Sequence, residues 1–264
     1  DGKFSVFVKD AYLRWKSIFQ GSDFFFGIHP TPAFQVSQKE WSYRSLEKTI
    51  MDLRKVVSSR DLGLALKGKL DKGGIFNYWV MVANGRGNKP ELDKHKRYYL
   101  TFHVKPTKNL TMSLYVDYAD RGKTVDKYTK ATVSNGTLTS AAFVGYAEKK
   151  NFSVGIEGFL STGLNQFDDG SSIRDLRTIG ISVFGSVHLV SQVVLVGRYD
   201  YYDPNINGGS KGDSRHYILG AVAWKPDDNV SIMPNVQVET YETTAGSIDP
   251  SVTGRVTFYY VFLQ

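Results

Sequence analysis

Ionisable residues recur at every second position of otherwise apolar stretches, and this spacing is the chain's main chemical resource. The basic ones are Arg14, Lys16, Lys67, Lys69, Arg97, Lys105, Arg198 and Arg255; the acidic ones are Asp10, Asp61, Asp117, Glu157, Asp200 and Glu239. A period of two places them all on one face of extended strands. Tyr12, Asn77, His103 and Tyr115 share that face. Charges arranged in this way can do two things. They can pair across neighbouring strands and brace a wall, or they can converge unpaired at a narrow place and filter ions. Residues 38–57 add a second charged set, in which Lys39, Arg44, Lys48, Arg54 and Lys55 outnumber Glu40, Glu47 and Asp52.

Other chemistries find little support. The five histidines show no metal-ligand spacing, and the chain has no cysteine. Asp203, Asn205 and Asn207 match the first half of a calcium loop, but Ser214 stands where the bidentate glutamate belongs, so a plain turn is expected. Asp168-Asp169-Gly170 is a similar turn with less pattern. His188 and Ser186 fall on the polar face of one strand, which suggests a hydrolase only until every strand is seen to carry such pairs. Asn84-Gly85-Arg86-Gly87 opens no phosphate-binding helix. No enzyme activity, cofactor or metal is therefore expected.

The elements that hold the charged face are strands. Leu110, Met112, Leu114, Val116 and Tyr118 alternate with Thr111, Ser113, Tyr115, Asp117 and Ala119. The same pattern recurs from Thr178 to Leu189 and from Val230 to Glu239. Thirteen such segments lie at 3–18, 22–34, 60–70, 74–86, 94–106, 109–121, 136–148, 151–164, 174–190, 193–203, 215–226, 229–242 and 251–263. The facing of 136–148 and 215–226 is unresolved, since Tyr217–Lys225 is apolar on both faces. Short connections such as Gln20-Gly21 and Thr107-Lys108 alternate with long ones such as 35–59 and 122–135. Strands of about ten residues with alternating short turns and long loops are the mark of an outer-membrane barrel. The expected fold is all-β, a single transmembrane antiparallel β-barrel over 1–264. Strand parity implies at least one strand before Asp1, because closed bacterial barrels carry even numbers.

Composition fits this reading without proving it. A mean hydropathy of -0.28 and 22% charged residues suggest a soluble protein, yet alternation hides apolar character from such averages. No stretch of about 18 apolar residues offers a transmembrane helix. A net charge of +7 admits nucleic acid, anionic lipid or anionic solutes as partners. With a barrel, the expected partners are outer-membrane lipid, lipopolysaccharide and small anionic solutes, and not nucleic acid. On the apolar face Trp15, Tyr98, Tyr199, Phe258, Tyr260 and Phe262 match an interfacial aromatic girdle. The last strand, with Phe262 near its end, resembles the signal read by the outer-membrane assembly machinery; Leu263 and Gln264 beyond it are a small departure.

Residues 38–57 break the strand pattern. Trp41, Leu46, Ile50 and Leu53 lie near helical spacing, so a helix is predicted there, in a 35–59 connection folded into the lumen. Trp41, Leu46 and Ile50 would pack on the wall, with Arg44, Lys48, Arg54 and Lys55 reaching pore water.

At 43–87 the sequence resembles the phosphate-selective porin O and P family. The carrying stretches are Tyr43-Arg44-Ser45-Leu46-Glu47, Ser59-Arg60-Asp61-Leu62-Gly63-Leu64-Ala65-Leu66-Lys67-Gly68, and Tyr78 with Val82-Ala83-Asn84-Gly85-Arg86-Gly87; Lys9-Asp10-Ala11-Tyr12-Leu13 resembles the strand before. The resemblance implies a 16-stranded porin, hence three strands before Asp1, and often a homotrimer. The phosphate-binding lysines of such pores have no residue-by-residue match here. The function expected is passive diffusion of small hydrophilic solutes across a bacterial outer membrane with a mild anion preference, phosphate among them. Two alternatives stand beside it: a structural or assembly subunit of a larger outer-membrane complex with a blocked lumen, and an outer-membrane enzyme.

Overall fold

The computed structural model describes residues 7–148, 151–207, 212–244 and 246–262. Thirteen strands form one sheet: β1 (Ala11–Phe19), β2 (Ser22–Pro30), β3 (Arg60–Lys69), β4 (Phe76–Ala83), β5 (Arg97–Val104), β6 (Leu110–Val125), β7 (Thr132–Glu148), β8 (Phe152–Asp168), β9 (Ile173–Val190), β10 (Val193–Asp203), β11 (Arg215–Asp227), β12 (Val230–Tyr241) and β13 (Ser251–Tyr260). They follow one another in chain order, each antiparallel to the next. The strand count matches the thirteen alternating segments. Of the first segment, residues 1–6 lie outside the described residues and the strand starts at Ala11.

Adjacent residues along a strand meet opposite surroundings. Leu64, Leu114 and Ile181 are 47%, 64% and 42% exposed, whereas their neighbours Ala65, Tyr115 and Ser182 are 3%, 5% and 1% exposed. One face is thus an apolar surface open to the outside, as lipid requires. Much of the opposite face is covered by the connection between β2 and β3.

That connection contains two short helices, α1 (Gln35–Trp41) and α2 (Ile50–Leu53), where one helix over 38–57 was expected. The break falls at Ser42, whose backbone is left-handed at φ 59 and whose N–H caps α1 on the Gln38 carbonyl. In a continuous helix Trp41 and Tyr43 would point about 200° apart. The break lets both side chains turn to the wall, where Trp41 is 2% and Tyr43 9% exposed. The Trp41 indole then donates to the Glu47 carbonyl at 2.7 Å and holds the two halves together.

The same covering accounts for β11, whose facing the sequence left open. Tyr217, Leu219, Ala221 and Ala223 form the inner side and are buried in one cluster with Trp41, Tyr43 and Leu46. Ile218, Val222 and Trp224 are exposed on the outer side. β11 is apolar on both faces because it meets lipid on one and the inserted connection on the other. β6 and β7 run further than their alternation suggested, through an irregularity between Asp120 and Lys123 where Gly122 takes φ 78.

Candidate pore and its charged wall

The inserted connection is fastened to the inner face at many points. Ser37 donates to Glu157 at 2.7 Å on β8, and Thr111 on β6 donates to Glu40 at 3.0 Å. Arg54 pairs with Glu239 on β12 at 2.6 Å, and Gln237 Nε2 reaches the Leu46 carbonyl at 3.4 Å. Arg198 on β10 donates to the Lys48 carbonyl while pairing with Asp200 at 2.5 Å. A second buried cluster joins Phe34, Ile50 and Met51 to Met81, Tyr99 and Tyr115 of the wall.

The six acidic residues of the alternating face are all engaged. Asp10 pairs with Arg60 at 2.5 Å, Asp117 with Arg97 at 2.6 Å, Asp200 with Arg198 and Glu239 with Arg54. Asp61 accepts from the Tyr99 hydroxyl at 2.6 Å and from the Gly85 and Gly87 N–H groups, so it orders the 84–87 loop. Glu157 holds Ser37. The basic residues divide. Arg14 pairs with Asp23 and lies over the Phe25 ring, and Arg97 and Arg198 are buried with their carboxylates. Among the described residues Lys67, Lys69, Lys105 and Arg255 form no ion pair, and neither does Lys16, which lies within electrostatic reach of Asp23. An arginine fork holds a carboxylate in two-point geometry, which a lysine ammonium cannot do. Arg14, Arg97 and Arg198 therefore brace the wall, and the lysines, with Arg255, are left over.

Two expected pore-lining residues are not in water. Arg54 has a side chain only 7% exposed, stacked over Tyr202, and Arg198 is enclosed between Trp41 and Tyr217. Both carry the ion pairs that fasten the connection, which is why they are withdrawn. Arg44 is half-exposed and pairs with Asp52 at 2.6 Å, while Lys48 and Lys55 are exposed. Arg255 lies on β13 opposite Asn235, away from both cavities described next.

A cavity of about 700 Å³ opens on the side of the long loops. Seven basic residues line it (Lys48, Lys55, Arg86, Lys89, Lys96, Arg97 and Arg121) against three acidic ones (Asp52, Asp93 and Asp120). Asp52, Asp93 and Asp120 are each bonded, to Arg44, Arg86 and His95. A second cavity, about 510 Å³, opens on the side of the short turns, lined by Arg14, Lys39, Lys67, Lys69 and Lys105 against Asp23 and Glu40. The two cavities share no lining residue, and the inserted connection lines both. Sequence reasoning missed Arg86, Lys89 and Lys96, which lie outside the strands where no alternation shows their facing, and Arg121, which lies in β6 at the irregularity between Asp120 and Lys123 and shares the parity of Tyr115 and Asp117. It also missed Trp79, whose parity opposite Tyr78 was the available signal.

Trp15, Tyr98, Tyr199, Phe258, Tyr260 and Phe262 are exposed, and those within strands lie on the apolar face. The calcium candidate folds as consecutive turns: Asp203 accepts the Asn205 N–H at 2.9 Å and Asn205 accepts the Asn207 N–H at 3.2 Å. The oxygens a cation would need cap their own backbone, and no group of three acidic or histidine ligands occurs among the described residues.

No protein-family model and no curated protein matches the chain. Solved structures do. Outer-membrane expressed OmpT of Vibrio cholerae aligns with a TM-score of 0.64 at 15% identity, over 92% of this chain and 78% of that one. The outer membrane channel DcaP of Acinetobacter baumannii aligns with a TM-score of 0.62 at 9% identity, over 89% of this chain and 70% of that one. At such identities the likeness is one of fold, and the fold is that of bacterial outer-membrane β-barrels.

Proposed function

We propose that this chain works in a bacterial outer membrane as a diffusion pore for small hydrophilic solutes, with a mild preference for anions. The observation that carries this reading is the division of the wall charges: carboxylates bonded, lysines left facing the cavities. Among the described residues Lys48, Lys55, Lys89 and Arg121 on one side, and Lys39, Lys67, Lys69 and Lys105 on the other, have no carboxylate partner, and they raise the local concentration of anions. The preference is modest because salt screens charge beyond about 8 Å at physiological ionic strength. Inorganic phosphate belongs among the solutes on the resemblance at 43–87, and the trimer that this resemblance implies is part of the same proposal. The inserted connection is the constriction: it reaches from β5 to β12 and its Lys39, Lys48 and Lys55 line the cavities.

A second reading, a barrel with a blocked lumen serving a larger complex, draws on the buried packing of Phe34, Ile50 and Met51 against the wall. Conductance in planar bilayers separates the two. A pore gives ohmic single-channel steps in potassium chloride; a plugged scaffold gives none, and that silence overturns the pore.

A further inference from the structure

The cavity on the short-turn side is built for more than a hydrated inorganic ion. Lys67 Nζ sits 4.1 Å above the Trp79 ring without a carboxylate partner among the described residues. Lys39 acts electrostatically on Lys67, and Lys39, Lys67 and Lys105 all act on His103, so these cations converge on one region. The two acidic side chains of the cavity are committed elsewhere, Asp23 to Arg14 and Glu40 to Thr111. Trp79 is 8% exposed and its indole N–H is buried with no hydrogen-bond partner among the described residues. A buried donor left unmade costs free energy, and it marks a place where an acceptor would be welcome. Beside the cations stands an aromatic wall: Tyr12 and Phe25 lie 5.7 Å apart and tilted, with Tyr12 about half exposed and both lining the cavity.

From these features we infer that the cavity binds an aromatic carboxylate. The carboxylate bridges the Lys67 ammonium and the Trp79 N–H, within reach of Lys39 and Lys105, and the ring lies against Tyr12 and Phe25. At about 510 Å³ the cavity is in the range of small-molecule sites. A hydrated phosphate would satisfy the cations but gain nothing from the aromatic wall, whereas a benzoate-sized anion uses both. The proposal relies on the pore reading for the solute's route, not for the chemistry of the site.

The test uses the full-length protein in detergent, with benzoate, acetate, inorganic phosphate and benzyl alcohol as calorimetric titrants. Benzoate should bind roughly tenfold more tightly than each of the other three, since it alone combines ring and charge. Trp79→Phe, which keeps the ring and removes the N–H, should weaken benzoate roughly tenfold. Tyr12→Ser should remove benzoate's advantage over acetate and leave acetate unchanged. Equal affinities for benzoate and acetate in the wild type overturn the site, as does benzoate binding indifferent to both substitutions. Bilayer conductance without benzoate is measured in parallel. Benzoate selectivity without conductance supports the site and overturns only the pore; conductance without benzoate selectivity overturns only the site.

Discussion

Replacing Arg198 by methionine should be among the most damaging single changes in the wall. Arg198 and Asp200 have side chains 1% and 0% exposed, and the guanidinium makes two bonds to the carboxylate, at 2.8 and 2.5 Å. It also donates to the Lys48 carbonyl of the inserted connection and lies over Trp41 and Tyr217. The Arg198→Met variant keeps most of the volume and leaves the Asp200 charge buried and alone, which costs about 3–5 kcal/mol. Replacing both members, as Arg198→Met with Asp200→Leu, removes the stranded charge and should recover most of that loss. Urea unfolding of the protein folded in lipid measures both. The Lys48 contact is lost in both variants, so single-channel recordings should show larger open-channel noise in each, as the connection loosens. If Arg198→Met costs under about 1 kcal/mol, or if the double variant is less stable than the single, the pair is not the buried brace described here.

Leu114→Arg on the apolar face should cost about 2–4 kcal/mol in lipid refolding, and Thr253→Arg, on the opposite face across from Gln237, much less; the reverse order would invert the assigned facing. Deleting Tyr260 through Gln264 removes the exposed aromatic end and should leave the protein in the periplasm, which cell fractionation would show. Calcium and a chelator should give the same melting temperature, because Asp203 and Asn205 cap their own turns. In the β3–β4 turn the Phe76 N–H, and after it that of Ile75, hold the Asp71 carboxyl below its usual range. That contribution is full above the ordinary carboxylate pKa and fades as pH falls through the lowered one, so the protection of the Phe76 amide against exchange, relative to its intrinsic rate, should fall only in acid.

Most of the wall was legible in the sequence because lipid on one side and polar contacts on the other impose a strict period of two. Leu114 beside Tyr115 and Ile181 beside Ser182 follow that rule. It fails where the polar side is not polar: the inner residues of β11, from Tyr217 to Ala223, are apolar because Trp41 and Leu46 lie on them. The break at Ser42 was hidden for a related reason. Only the shape of the wall reveals that Trp41 and Tyr43 must face the same way. Charge alternation named the acidic and basic residues of the wall, but not their division, which depends on cross-strand and connection contacts such as Glu239 to Arg54. Of the outer basic set, Arg86 and Lys89 lie outside the strands, where no period exists to be read, and Arg121 lies in β6 where the pairing becomes irregular.

In the pore proposed here, lysines without carboxylate partners give the barrel its anion preference. Its most direct measurement is the reversal potential in planar bilayers across a potassium chloride gradient, for the wild type and for Lys39→Gln/Lys67→Met/Lys105→Gln. The expected result is ohmic conductance with a reversal potential of anion sign in the wild type, moved toward zero in the triple variant and diminished as total salt is raised. A cation-selective wild type, or a triple variant that conducts with unchanged selectivity, would contradict it.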